Sequence, residues 1–135
     1  MNISILIIDD EKPQRETLGG YFKKRGNTVY LAESGSSGLE IVRDNQIDIV
    51  LTDYKMPDLS GIETLLEIKK INPDVEVIIM TAYGSVEIAV EAMKYGAINY
   101  LLKPVNLDEL DITIERTLMH HQIVSENKKM KIELE

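Results

Sequence analysis

The sequence predicts an α/β fold, a doubly wound five-stranded parallel sheet with helices on both faces. Two observations carry that expectation. Along the 135 residues, short aliphatic runs alternate with longer amphipathic ones five times over, and a βα repeat of this length winds into one open sheet. The runs beginning at Ile3, Ile47 and Val75 are also almost continuously apolar. Strands covered by helices on both faces read this way, whereas strands with one wet face alternate.

Taken in order, Ile3–Ile8 is the first strand, and Pro13 suits the opening turn of the helix that follows Asp10. Gly26 and Asn27 end that helix, and Thr28–Ala32 is the second strand. A helical pattern leads to the third strand, Ile47–Thr52, after which Pro57 shapes a turn and Gly61 sits at a loop or helix end. The fourth strand is Val75–Met80. A helix from about Ser85 to Tyr95 stops near Gly96, before the fifth strand, Asn99–Leu102. Beyond Pro104 the pattern becomes one helical stretch, Leu107 to Glu135, without glycine or proline. That is longer than a single packed helix of this domain needs. Leu107, Leu110, Ile114 and Leu118 share a face expected to dock on the sheet.

Composition narrows the function. With 44% hydrophobic residues the chain can bury one domain core, and a formal charge of −8 repels a phosphate backbone, so this segment itself is not expected to bind nucleic acid. There is no cysteine, hence no disulfide, thiol nucleophile or thiolate metal site. No basic region leads into a long apolar stretch, and no run approaches the roughly 18 apolar residues of a membrane span. The expectation is a cytoplasmic chain with no membrane contact.

The strand ends carry the chemistry. "ILIIDDEKPQ" (residues 5 to 14) places Asp9 and Asp10 after the first strand. Asp53 follows the third ("IVLTDYKMP"), Thr81 the fourth ("IIMTAYG") and Lys103 the fifth ("NYLLKP"). In a parallel sheet these ends share one edge, outside which ligands bind. Three carboxylates brought together repel one another, and a bound cation relieves that conflict. An all-oxygen site with few carboxylates and room for water and phosphate oxygens describes Mg²⁺ better than a calcium cage. With the acids neutralised, a carboxylate can attack phosphorus. Asp53, which stands alone, is the candidate nucleophile, and the product is an aspartyl phosphate. The Asp9/Asp10 pair suits metal binding, Asp10 directly and Asp9 through water. Thr81 can donate its hydroxyl to a phosphoryl oxygen, and Lys103 has the stem length to reach the same group from an outer strand.

"IIDDE", "LTDYKMPDLSG", "MTAYGS" and "NYLLKP", in that order and spacing, resemble the receiver domain of two-component response regulators over about residues 3 to 120. The resemblance implies the flavodoxin/CheY-like strand order 2-1-3-4-5, phosphorylation of Asp53 by a histidine kinase, and a backbone carbonyl from Lys55 to Mg²⁺. It also implies a switch formed by Thr81 and Tyr100, and a cis bond between Lys103 and Pro104. Such a domain is a signalling switch, not an enzyme in the ordinary sense, although it catalyses its own phosphorylation and dephosphorylation. "TAYGSVEIAVEAMKYGAINYLLKP" further resembles the NtrC-like class that controls ATPase activators of sigma-54 RNA polymerase. That implies a receiver at residues 1–120 and, at 121–135, a linker helix leading to an AAA+ ATPase and a DNA-binding domain elsewhere in a longer chain. The tail "NKKMKIELE", ending mid-helix, fits a segment of such a chain.

Past the domain, Met119, Ile123, Met130 and Leu134 continue an apolar stripe that Asn127 interrupts. A second copy of the helix can cover such a stripe, so a homodimer is expected; the alternative is a short stripe on a helix that frays in solvent. Other residues read as ordinary structure. His120 and His121 are adjacent on a helix and point to different faces. Met56, Met80 and Met93 read as core fillers or packing beside the site. Two other readings are set aside. A haloacid-dehalogenase-type phosphatase would need an aspartate where Glu11 stands, and a pseudo-receiver would lack one of the acids or the lysine.

Overall fold

The computed structural model describes residues 2–82 and 84–134, with side-chain surroundings as far as His120. Met1–Pro104 and Val105–Glu135 form two compact units. In the first, β1 (Ser4–Ile8), β2 (Thr28–Ala32), β3 (Ile49–Asp53), β4 (Glu76–Thr81) and β5 (Asn99–Leu102) pair in parallel in the order β2-β1-β3-β4-β5. The helices between them are α1 (Lys12–Lys24), α2 (Gly35–Asp44), α3 (Gly61–Ile71) and α4 (Val86–Lys94). The predicted order and the position of every strand hold, with strand bounds shifted by two residues at most.

Alternation along the strands divides the core. Leu6 and Ile8 of β1, Val50 of β3, and Val77 and Ile79 of β4 pack with Leu39 and Val42 of α2, Ile62, Leu65 and Ile68 of α3, and Ala92 of α4. Their neighbours in sequence point the opposite way, toward the face where Leu18 and Phe22 of α1 are buried and Gly19 lies against Leu31. Burial on both faces is why the three central strands read as continuous apolar runs.

Local signals set the helix ends. Pro13 lies in the first turn of α1, where its missing N–H costs nothing. The chain leaves that helix through Gly26 at φ 87°, a conformation that disfavours a side chain, and the Asn27 amide donates to the Phe22 carbonyl. Ser34 and Ser60 open α2 and α3 with reciprocal capping boxes, and Ser85 caps α4. The Lys103–Pro104 bond is cis.

Two packing expectations need correction. Met93 is half exposed on α4 rather than core, because Ala92 alone of that helix is buried. In the second unit, α5 (Leu107–Leu134) is one unbroken helix whose buried residues, among those with described side chains, are Leu110, Thr113, Ile114 and Thr117, while Leu107 is exposed. The two threonines tolerate burial because each hydroxyl donates to the carbonyl four residues back, at 2.9 and 2.7 Å. Met119 is 63% exposed and His120 is also exposed. His121, Ile123, Asn127, Met130 and Leu134 lie outside the residues whose side chains are described. No described helix is long and apolar enough to cross a membrane.

Two glycines give opposite expectations. A Cβ at Gly61 would sit 2.5 Å from the Asp53 carbonyl oxygen and 2.9 Å from the Tyr54 Cα, both backbone atoms, whereas one at Gly20 meets nothing within 4 Å. Gly61→Ala should lower stability by about 1–3 kcal/mol, and Gly20→Ala, in mid-helix, should raise it by about 0.5–1 kcal/mol. Urea unfolding midpoints check both; an unchanged midpoint for Gly61→Ala would contradict the packing described.

Candidate functional site

The carboxyl edge of the sheet gathers the polar strand ends. Asp9 leaves β1 with its N–H donating to the Ala32 carbonyl at 3.0 Å, so the neighbouring strand fixes its backbone. Its Oδ1 accepts from the Glu11 N–H at 2.9 Å, and its carbonyl accepts from the Arg15 guanidinium at 2.7 Å. Lys103, just past β5, donates from Nζ to Asp9 Oδ2 at 3.3 Å and to Asp53 Oδ2 at 3.0 Å. Its own N–H donates to the Thr81 carbonyl at 2.8 Å, which fixes the base of that side chain against β4. Asp9 is fully buried and Asp53 nearly so, while Asp10 is exposed.

Asp9, Asp10 and Asp53 each offer a carboxylate oxygen within 4.8 Å of the others. A cavity of about 390 Å³ opens beside them, lined by Asp10, Glu11, Asp53, Lys55, Met56 and Pro57, with Thr81, Ala82 and Lys103 completing its wall. All the predicted acids, Thr81, Lys55 and Lys103 thus converge. Tyr100 does not line this cavity; it is half-buried on β5, packed against the core at the position paired with Ile79.

Electrostatics follow from that crowding. Burial pushes the Asp53 carboxyl above its ordinary value; the Lys103 ammonium opposes the shift and the charges of Asp9 and Asp10 add to it. Burial alone would lower Lys103, but its hydrogen bond to Asp53 and the charges of both aspartates prevail and raise it. The Lys103 ammonium thus faces three carboxylates and cannot by itself neutralise them. An all-oxygen donor set in that state fits a hard divalent cation.

A model of the response regulator receiver domain matches residues 5–115. The chain belongs to that family. Among curated relatives, this receiver is 48% identical over 126 residues to the transcriptional regulatory protein ZraR of Escherichia coli (strain K12), covering 93% of the present chain and 29% of ZraR. It thus spans under a third of that relative's length. A solved response regulator receiver domain from Clostridium thermocellum superposes with a TM-score of 0.84 at 42% identity, covering 90% of this chain and 98% of that one. The beryllofluoride-activated NtrC4 receiver domain dimer superposes with a TM-score of 0.82 at 28% identity, covering 87% and 98%.

Two residues to which the sequence assigned no site role also shape the site. Glu11 lines the cavity, and Arg15 braces the Asp9 carbonyl. An acidic residue directly after the aspartate pair was a readable signal for the first. Arg15 stands seven residues past the strand, and only the helical turn of α1 brings it back.

The direction of the Asp53 shift sets a pH dependence. Below its ordinary value of 3.8 the carboxyl is protonated in folded and unfolded chains alike. As pH rises through the raised folded value, the folded state must carry a charge it disfavours, and stability falls relative to a neutral isostere. Lys103, raised above 10.5, titrates only in alkali and leaves this window alone. Metal-free Asp53→Asn should therefore be more stable than wild type at neutral pH, with the difference shrinking toward about pH 4. Urea titrations across that range check the sign, and a less stable variant at neutral pH would refute it.

Proposed function

We propose that this receiver is a phosphorylation switch that accepts a phosphoryl group on Asp53 from the phosphohistidine of a sensor histidine kinase. The observation that carries the reading is the meeting of Asp9, Asp10, Asp53 and Lys103 at one sheet edge, with a cavity beside Asp53. In the transfer, an Asp53 carboxylate oxygen forms the new P–O bond while the P–N bond of the donor breaks, and the imidazole leaves with a proton from solvent. Lys103 lies close enough to Asp53 to hold its carboxylate in place and then to pair with a phosphoryl oxygen. Thr81, buried at the end of β4 and lining the cavity, is placed to donate its hydroxyl to another.

Asp10, Asp53 and the Lys55 carbonyl would hold Mg²⁺, with Asp9 acting through water. Bound there, the ion would offset negative charge on the transferring group. The split between the two adjacent acids has structural support. Asp10 is exposed and lines the cavity, whereas Asp9 is buried with both carboxylate oxygens already accepting hydrogen bonds.

The new phosphate, of about −2 charge, would draw Thr81 toward Asp53, and Tyr100 would turn inward into the space released. The signal would then leave through α4 and β5, where Val86, Val90 and Leu102 are exposed. The same likenesses support a receiver at residues 1–120 and a linker at 121–135 that leads, in a longer cytoplasmic protein, to an effector of the sigma-54-activator class. Such an effector pairs an AAA+ ATPase with a DNA-binding domain. A homodimer is part of the reading: α5 continues unbroken to Leu134, and the solved NtrC4 receiver is a dimer.

Three experiments test this. Acetyl phosphate with Mg²⁺ should add about 80 Da to wild type, nothing to Asp53→Asn, and nothing once the metal is chelated. Asp10→Ala should weaken Mg²⁺ binding more than Asp9→Ala in a calorimetric titration. Equal mass gain in wild type and Asp53→Asn would end the proposal. For assembly, sedimentation of the full chain, of a version ending near His120, and of Ile123→Asp/Met130→Asp should show a dimer only in the first, strengthened by beryllofluoride. A monomer throughout would remove the stripe from any role in association.

A further inference from the structure

The loop between β3 and α3 supplies one wall of the site, since Lys55, Met56 and Pro57 line the cavity beside Asp53. This loop contains no helix or strand, so its shape depends on what ties it down. At its base the Gly61 N–H donates to the Tyr54 carbonyl at 2.7 Å, which closes residues 54–61 into a ring. At its tip stands Asp58, exposed to solvent yet engaged at both carboxylate oxygens. Oδ1 accepts from the Gly35 N–H at 3.1 Å and Oδ2 from the Ser36 N–H at 3.0 Å, both in the first turn of α2. The Ser36 hydroxyl also hydrogen-bonds the carboxylate and, with these N–H groups, holds it far below the usual carboxylate range.

Those N–H groups belong to the set at a helix start that has no partner within the helix, and the helix dipole favours a carboxylate there. Helix α2 does not depend on Asp58 for its start. Ser34 already caps it, accepting from the Ser37 N–H at 3.2 Å in a reciprocal box. What the Asp58 bonds add is a fixed distance between α2 and the loop. Packing at Gly35 says the same independently. A Cβ there would lie 2.5 Å from Thr64 Oγ1 and 2.8 Å from Leu59 Cβ, so α2 touches the loop and α3 with no room to spare.

We propose that Asp58 is a positioning residue for the cation site. By fastening the loop tip to the start of α2, it holds the Lys55–Pro57 wall against the acidic cluster and so sets the affinity for a divalent ion. The proposal rests on the Mg²⁺ reading of Asp9, Asp10 and Asp53. Mg²⁺ demands near-ideal coordination, so a wall free to shift by a fraction of an ångström lowers affinity even though Asp58 does not reach the ion.

The test compares Asp58→Ala, Asp58→Asn and Ser34→Ala with wild type by calorimetric titration with Mg²⁺. Asp58→Ala should raise the dissociation constant about tenfold. Asp58→Asn, which keeps one acceptor, should fall between it and wild type. At saturating Mg²⁺, the rate of phosphorylation by acetyl phosphate should return to near the wild-type value, because the clamp acts on binding and not on the transfer. Ser34→Ala weakens α2 without releasing the loop and should keep wild-type affinity. Wild-type affinity in Asp58→Ala, or equal weakening in Ser34→Ala, overturns the proposal. If wild type itself binds no Mg²⁺, the cation reading has failed, and amide exchange of metal-free protein decides the clamp. Residues 54–61 should exchange about tenfold faster in Asp58→Ala, and unchanged exchange overturns it.

Discussion

The arrangement turns on one electrostatic constraint, the confinement of three carboxylates at the edge of a buried sheet with the Lys103 ammonium among them. The strand order makes the confinement unavoidable. β1 and β3 are neighbours, so Asp9, Asp10 and Asp53 emerge side by side, and β4 sets Thr81 next to them. β5 lies two strands from β3, roughly 9–10 Å at ordinary strand spacing. Lysine is long enough to bridge that gap and still present an ammonium at its tip. A shorter cation in its place would leave Asp53 facing its neighbours alone.

Rigidity is graded around this cluster. β1, β3 and β4 are buried on both faces, and such strands open only with much of the domain. The acids are therefore anchored on the most stable part of the molecule. Helix α4 is anchored far less, with Ala92 its one buried residue and Val86, Val90 and Met93 facing solvent. It begins shortly after Thr81, the residue at the cavity that terminates β4. In the proposed switch, a change at Thr81 would reach this weakly anchored helix while the acids that produced it stayed in place.

Legibility of the sequence followed the range of the forces involved. The strands were readable because burial on both faces leaves no alternation, and the acids because each sits where an apolar run stops. Residues whose roles depend on contacts between distant elements were not. Asp58 reads as an ordinary turn residue; only the packing of α2 against the loop makes it a tether across 22 to 23 positions. Leu107 has the better apolar credentials, yet Thr113 and Thr117 are buried in its stead, because each hydroxyl finds its partner within its own helix. Met93 was misplaced for a related reason. Its spacing from other apolar positions in α4 is helical, but a helix touching the core through one alanine has its apolar stripe turned outward.

Adjacent residues of the same type need not share a role, and Asp9 and Asp10 show why. Successive side chains leaving a strand point to opposite sides, which sends Asp9 into the protein and Asp10 out to the cavity. Asp9 is then held at four points, by the Ala32 carbonyl on its N–H, by the Glu11 N–H, by Arg15 on its carbonyl and by Lys103. Lys103 is shared between Asp9 and Asp53. The three aspartates and this one ammonium together carry a net charge of −2, which one divalent cation balances. In the proposed reaction the same sharing has a second use. When Asp53 takes on a phosphoryl group, Lys103 can turn toward it while the Glu11 N–H still holds Asp9 Oδ1 in place.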